Sequence, residues 1–137
     1  MWLLIIVGNI KMMETRKRII LVVDDNSDHR KAFRILLENG GYSVVECESG
    51  KDALKTLEKK NFDLMTLDLS MPDVNGLEVL GVVRSKYPQL KIVAVSGFLQ
   101  GKMDQVARLL GAVATLEKNV ATDSLLTVVD GLLKNPK

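Results

Sequence analysis

From residue 19 onward the chain alternates short, mostly apolar runs with longer segments in which apolar residues recur at helical spacing. Ile19–Val23 is a continuous run of β-branched residues and leucine, the pattern of a strand buried on both faces, and it stops at Asp24. Asn26 and Ser27 then offer capping side chains to a helix that gathers Phe33, Leu36 and Leu37 on one side, and Gly40 with Gly41 ends it. Residues 42–48 read as a second, more polar strand. Ser49 and Gly50 open a helix with Ala53, Leu54 and Leu57 on one face, and residues 62–67 form a third strand closed by Asp68. After the loop LSMPDVNG a helix runs through Val79, Leu80 and Val83 to Tyr87-Pro88, because the residue before a proline avoids helical angles. Residues 90–95 give a fourth strand, 101–110 a fourth helix, 112–116 a fifth strand, and 121–133 a last helix with Leu125, Val129, Leu132 and Leu133 facing inward.

The order is (βα)5, a doubly wound α/β class with a five-stranded parallel sheet, right-handed crossovers and helices on both faces. The first and fourth strands are the most apolar and the second and fifth the most mixed. That gradient predicts the flavodoxin-like strand order 2-1-3-4-5, with the mixed strands at the edges.

Composition narrows the function. At 137 residues and 47% hydrophobic content the chain supports one ordinary core, assigned to residues 18–137, with residues 1–17 as an N-terminal extension. Its single cysteine, Cys47, cannot close an intramolecular disulfide, and no cysteine–histidine cluster offers a zinc site, so a reducing, cytoplasmic setting is expected. The net charge of +2 is uneven: residues 1–18 carry Lys11, Arg16, Lys17 and Arg18 against Glu14, which leaves −1 for the remainder. A near-neutral body does not indicate a nucleic-acid surface. The opening run MWLLIIVGNI is apolar but ten residues long, where a membrane span needs about 20. Its positive charge follows the apolar stretch instead of preceding it, unlike a secretory signal. Met12 and Met13 offer alternative starts, and the run is read as lying outside the domain, with the association hazard of an apolar, β-prone segment.

The polar residues carry the chemistry. Asp24 and Asp25 follow strand one, Asp68 strand three, Ser96 strand four and Lys118 strand five. All five therefore fall at the carboxyl edge of one parallel sheet, where open α/β folds bind ligands. Three carboxylates that close raise one another's pKa unless a cation holds them ionised. Magnesium takes octahedral oxygen ligands of this type. A lysine and a hydroxyl opposite then suit the oxygens of a phosphoryl group, with catalysis by positioning and charge neutralisation. Asp68 lies between the other groups as the nucleophile.

The strings IILVVDDN, LMTLDLSMPDVNGLEVL, IVAVSG and the lysine of TLEKN resemble, in joint spacing, the receiver domain of two-component response regulators, of the stand-alone CheY-like type, over about residues 17 to 134. The resemblance implies that Asp25 binds magnesium directly and Asp24 through a water, with the Ser70 backbone carbonyl as a further ligand. Asp68 would accept the phosphoryl group from a histidine kinase or a phosphotransfer protein. Ser96 would be the switch hydroxyl and Lys118 the ion-pair partner. Output would pass to a downstream protein through helix 4, strand 5 and helix 5, with the chain a monomer or weak homodimer. Two positions depart from the family. Thr115 stands where an aromatic switch residue is usual, three positions before the lysine, and Asn119 stands where proline follows it. A cis bond before a residue other than proline costs about 3 to 4 kcal/mol, so the 118–119 bond is expected trans, with a reshaped loop.

Taken singly, each residue has a plainer reading. An aspartate pair ahead of a helix is often a turn and cap, Asp68 could be a turn aspartate, and a lone lysine at a strand end is usually solvated. Convergence on one edge makes those readings improbable together. His29 is expected to be a solvated helix residue, Cys47 a small packed hydrophobe, and Pro72 with Gly76 to shape the turn after Asp68. Met103, Val106 and Leu110 are expected to face the core, and Phe98 to limit water access near Ser96. Three other functions compete. A haloacid-dehalogenase-like phosphohydrolase would show a DxD pattern where this chain has Asp68-Leu69-Ser70; an FMN binder would not place the acidic DDNSD in its first loop; a degenerate receiver would keep the fold as an interaction module without phosphorylation.

Overall fold

Five strands form one parallel sheet in the computed structural model, which describes residues 5–6, 8–9, 16–71, 76–97 and 102–134. They are β1 (Ile19–Val23), β2 (Ser43–Cys47), β3 (Leu64–Asp68), β4 (Lys91–Ser96) and β5 (Ala114–Glu117), and their order across the sheet is β2-β1-β3-β4-β5. The helices α1 (Ser27–Asn39), α2 (Gly50–Lys59), α3 (Gly76–Lys86), α4 (Lys102–Leu109) and α5 (Lys118–Leu133) come after the strands in turn. The apolar gradient along the chain thus translates into strand position: β3 is buried along its whole length, and the mixed strands β2 and β5 lie at the edges. Apart from this sheet, Ile5–Ile6 pairs antiparallel with Gly8–Asn9. Among the described residues no helix is long and apolar enough to cross a membrane.

Strand side chains alternate between the two faces, so each face builds its own core. Leu21, Val23, Met65, Leu67, Ile92 and Ala94 pack with Ala53 and Leu57 of α2, Val79, Leu80 and Val83 of α3, and Ala107 of α4. Ile20, Val22, Leu64, Val93 and Val95 pack on the other face against Phe33 and Leu37 of α1 and Leu125, Val129 and Leu133 of α5. Leu132 of α5, expected inward, is half-buried at the margin of that core.

Local signals set the helix ends. The Asn26 side chain accepts from the His29 amide at 3.0 Å, and the Ser49 hydroxyl accepts from Asp52 at 3.1 Å, each satisfying a donor that the first turn leaves open. After α1 the chain reverses through Gly41 at φ +99°, a conformation that side chains with a Cβ rarely adopt.

Two elements differ from the sequence reading. Helix α5 starts at Lys118, three residues before the expected position, directly after β5. With asparagine instead of proline at 119, Lys118 is free of the restriction that a following proline places on helical angles. The carbonyl end of α5 is met by Lys91, whose Nζ donates to Leu132 O at 2.6 Å, and by Arg18, which donates to Leu133 O. Helix α4 is the second difference: Ala107 is its buried residue, Met103 is half-buried, and Val106 and Leu110 are exposed beside Leu109 at 85%. The helix is short and rests on the edge strand, so its core contact narrows to Ala107 with part of Met103, while Val106, Leu109 and Leu110 face outward.

Candidate functional site

Asp24 follows the last residue of β1, Asp68 is the last of β3, Ser96 the last of β4, and Lys118 the first of α5. Strand length alone brings these positions to one edge of the sheet. Beyond β3 the Leu69 amide still donates to Val95 O at 2.8 Å, which continues the ladder and fixes where Asp68 emerges. The helix α3 comes close at this point: a Cβ on Gly76 would lie 2.3 Å from the Leu69 Cα and 2.8 Å from the Asp68 carbonyl oxygen. Only glycine admits that approach. Pro72, the other residue expected to shape this turn, and Phe98, expected to shield it, lie outside the described residues.

Asp24, Asp25 and Asp68 present carboxylate oxygens that all lie within 4.8 Å of one another. Asp24 and Asp68 are buried, at 3% and 1% exposure, while Asp25 faces solvent. Each buried carboxylate has one oxygen held by a backbone amide two residues on: Asn26 N–H donates to Asp24 Oδ1 at 2.9 Å and Ser70 N–H to Asp68 Oδ1 at 2.9 Å. The other Asp68 oxygen, Oδ2, faces Lys118 Nζ at 3.1 Å, and the same ammonium stands 3.3 Å from Asp24 Oδ2. Burial, opposed by the Asn26 amide and reinforced by the Asp68 charge, pushes the Asp24 carboxyl above its ordinary value. Burial works to lower the Lys118 ammonium, but its bond to Asp68 and the charges of Asp68 and Asp24 outweigh that and hold it above its usual value.

Three carboxylates against one ammonium leave negative charge uncompensated in a largely buried place. The donor set is all oxygen and suits a small, hard dication such as magnesium. Ser96 Oγ lies 3.4 Å from Ser70 Oγ at the same edge. On β5 the Thr115 hydroxyl donates to Asp104 and accepts from Arg108 at 3.3 Å. That side chain ties β5 to α4. His29 is half-exposed, 3.8 Å from Asp24 Oδ2, and Cys47 is buried with Sγ 3.4 Å from Thr56 Oγ1.

Sequence reasoning missed Arg30. Its Nη1 donates to the Asp24 main-chain carbonyl at 2.7 Å and its Nε to Glu46 Oε1 at 3.1 Å, and Arg34 holds the other Glu46 oxygen at 2.7 Å. The available signal was two arginines four apart on α1 with an acid on the neighbouring strand.

Comparison with known proteins agrees with this geometry. Residues 20–130 match the response regulator receiver domain family. The chain is 42% identical over 82 residues, 60% of its length, to the CAI-1 autoinducer sensor kinase/phosphatase CqsS of Vibrio cholerae, and that match covers 12% of CqsS. It spans less than half the length of several curated relatives. A receiver domain protein (CheY-like) from Methanospirillum hungatei superposes with a TM-score of 0.83 at 26% identity, over 88% of this chain and 97% of that one. The response regulator TrrA of Thermotoga maritima, solved in complex with Mg(2+)-BeF, superposes with a TM-score of 0.75 at 33% identity, over 85% of this chain and 99% of that one.

Proposed function

Because the chain belongs to the response regulator receiver domain family, in which aspartate phosphorylation and Mg2+ are characteristic, we propose that it is a phosphorylation switch with Asp68 as acceptor. The observation that carries this reading is the meeting of Asp24, Asp25, Asp68 and Lys118, contributed by three separate stretches of chain, around one buried carboxylate.

Asp25 and Asp68, with Asp24 and the Ser70 carbonyl beside them, would hold a magnesium ion. When bound, the ion offsets the carboxylate charges and those on the incoming phosphoryl oxygens. Asp68 Oδ2 attacks phosphorus, the bond between phosphorus and the donor's histidine nitrogen breaks, and that nitrogen keeps the electron pair and takes up a proton. The product is an acyl phosphate. The Ser70 amide keeps the Asp68 carboxyl oriented throughout, and Lys118 stands ready to pair with the oxygens that arrive. Ser96 supplies the hydroxyl that moves toward the phosphoryl group. The donor is a histidine kinase or a phosphotransfer protein in the cytoplasm. Output passes through α4, β5 and α5 to a partner protein, with the chain acting as a single domain that shifts between two populations.

Incubation with magnesium and acetyl phosphate, followed by intact-mass measurement, tests the reading. The wild type gains one phosphoryl group, the gain disappears on chelation, and Asp68→Asn gains none. Equal gain in Asp68→Asn overturns it.

A further inference from the structure

We infer that Arg30 is a positioning residue for the metal-holding pair, setting through the Asp24 carbonyl the direction in which Asp25 leaves the chain. This rests on the reading of Asp24, Asp25 and Asp68 as a magnesium site.

The Asp24 carbonyl and the Asp25 amide belong to one planar unit, so a bond at that oxygen fixes the plane from which Asp25 departs. The rest of Asp24 is already tied: its N–H donates to Cys47 O at 3.1 Å and its carboxylate accepts from Asn26. Arg30 secures the remaining handle at 2.7 Å. Asp25 itself is exposed, and among the described residues no hydrogen bond holds its carboxylate. Its direction therefore comes from the backbone. Arg30 is in turn anchored, because the guanidinium is largely buried and its Nε is bound to Glu46. The planar fork lets one side chain reach a carbonyl and a carboxylate at once, which a lysine's single ammonium does poorly.

A cation near the acidic cluster also repels a metal, so geometry and charge act in opposite directions. Two arginines, Arg30 and Arg34, face two carboxylates, Glu46 and Glu38, at contact distance, which leaves little net repulsion. Geometry therefore governs, and a charge-conserving substitution separates the two.

Magnesium titration by calorimetry on wild type, Arg30→Lys, Arg30→Gln and Arg34→Ala tests the assignment, each protein first verified as folded by circular dichroism; either folded Arg30 variant suffices. Both Arg30 variants lose about tenfold in magnesium affinity, the low end of what outer-shell partners of metal ligands contribute. Arg34→Ala, which loses a Glu46 contact without touching Asp24, stays within about twofold of wild type. In the metal-free protein the Asp25 amide resonance moves in the Arg30 variants and not in Arg34→Ala. Arg30 variants that match wild type, or an equal loss in Arg34→Ala, overturn the assignment and leave the site reading standing. A wild type that takes up no magnesium overturns both.

Discussion

Asp24 gives up stability for the sake of the site. Burial and the neighbouring Asp68 charge hold its carboxyl above the ordinary value, so the folded state favours the neutral form more than the unfolded chain does. Between the two values the folded protein binds more protons, and stability falls as pH rises through that window. Asp24→Asn keeps an oxygen for the Asn26 amide and removes the charge. It is expected to stabilise the metal-free protein at neutral pH by about 1 kcal/mol, within the range of relieved functional-site strain, while weakening magnesium binding. The gain should shrink as pH falls toward the ordinary carboxyl value of 3.8, where both proteins are neutral at this position. Urea unfolding across pH measures it, and a variant less stable than wild type at neutral pH contradicts it. Lys118 complements the same carboxylates without replacing a dication, since one ammonium shared at 3.1 and 3.3 Å faces two buried charges and a third nearby.

At the scale of elements, the site depends on how closely α3 approaches the end of β3. A methyl group at Gly76 would lie 2.3 Å from the Leu69 Cα, and the obstacle is backbone. Gly76→Ala must therefore push α3 away from the strand end that carries Asp68, at a cost of about 1 to 3 kcal/mol from overpacking. Chemical denaturation should show the loss, with slower phosphorylation by acetyl phosphate; a variant as stable as wild type contradicts the steric argument. Most elements were legible because hydrophobic period and capping agree, as at Asn26 and Ser49, whose side chains do bond the amides their positions suggest. Two were less so. The start of α5 depends on the residue after Lys118, and Asn119 in place of the familiar proline lets the helix begin three residues upstream. The face of α4 depends on how much of a short helix the edge strand covers, which periodicity does not specify. Thr115 likewise reads as a substitution in sequence, and only the fold reveals its partners, Asp104 and Arg108.

Over the whole molecule, the parallel sheet converts distance along the chain into proximity at one edge. Two cores hold that sheet from opposite faces, and Lys91 and Arg18 tie the far end of α5 to it. The acidic cluster was legible as a set of strand ends because a sheet of known order fixes which ends adjoin. Arg30 was not, because its role lies in a bond to a main-chain oxygen that no residue pattern marks. On the proposed function, this edge makes one carboxylate, Asp68, a nucleophile toward phosphorus. Borohydride trapping tests it most directly, since hydride reduces an aspartyl phosphate to homoserine at the residue that carried it. After treatment with acetyl phosphate and magnesium, peptide mapping should find homoserine at position 68 and nowhere else. Homoserine at position 24 or 25, or a phosphoryl group retained on Ser70 or Ser96 with position 68 unchanged, would contradict the account.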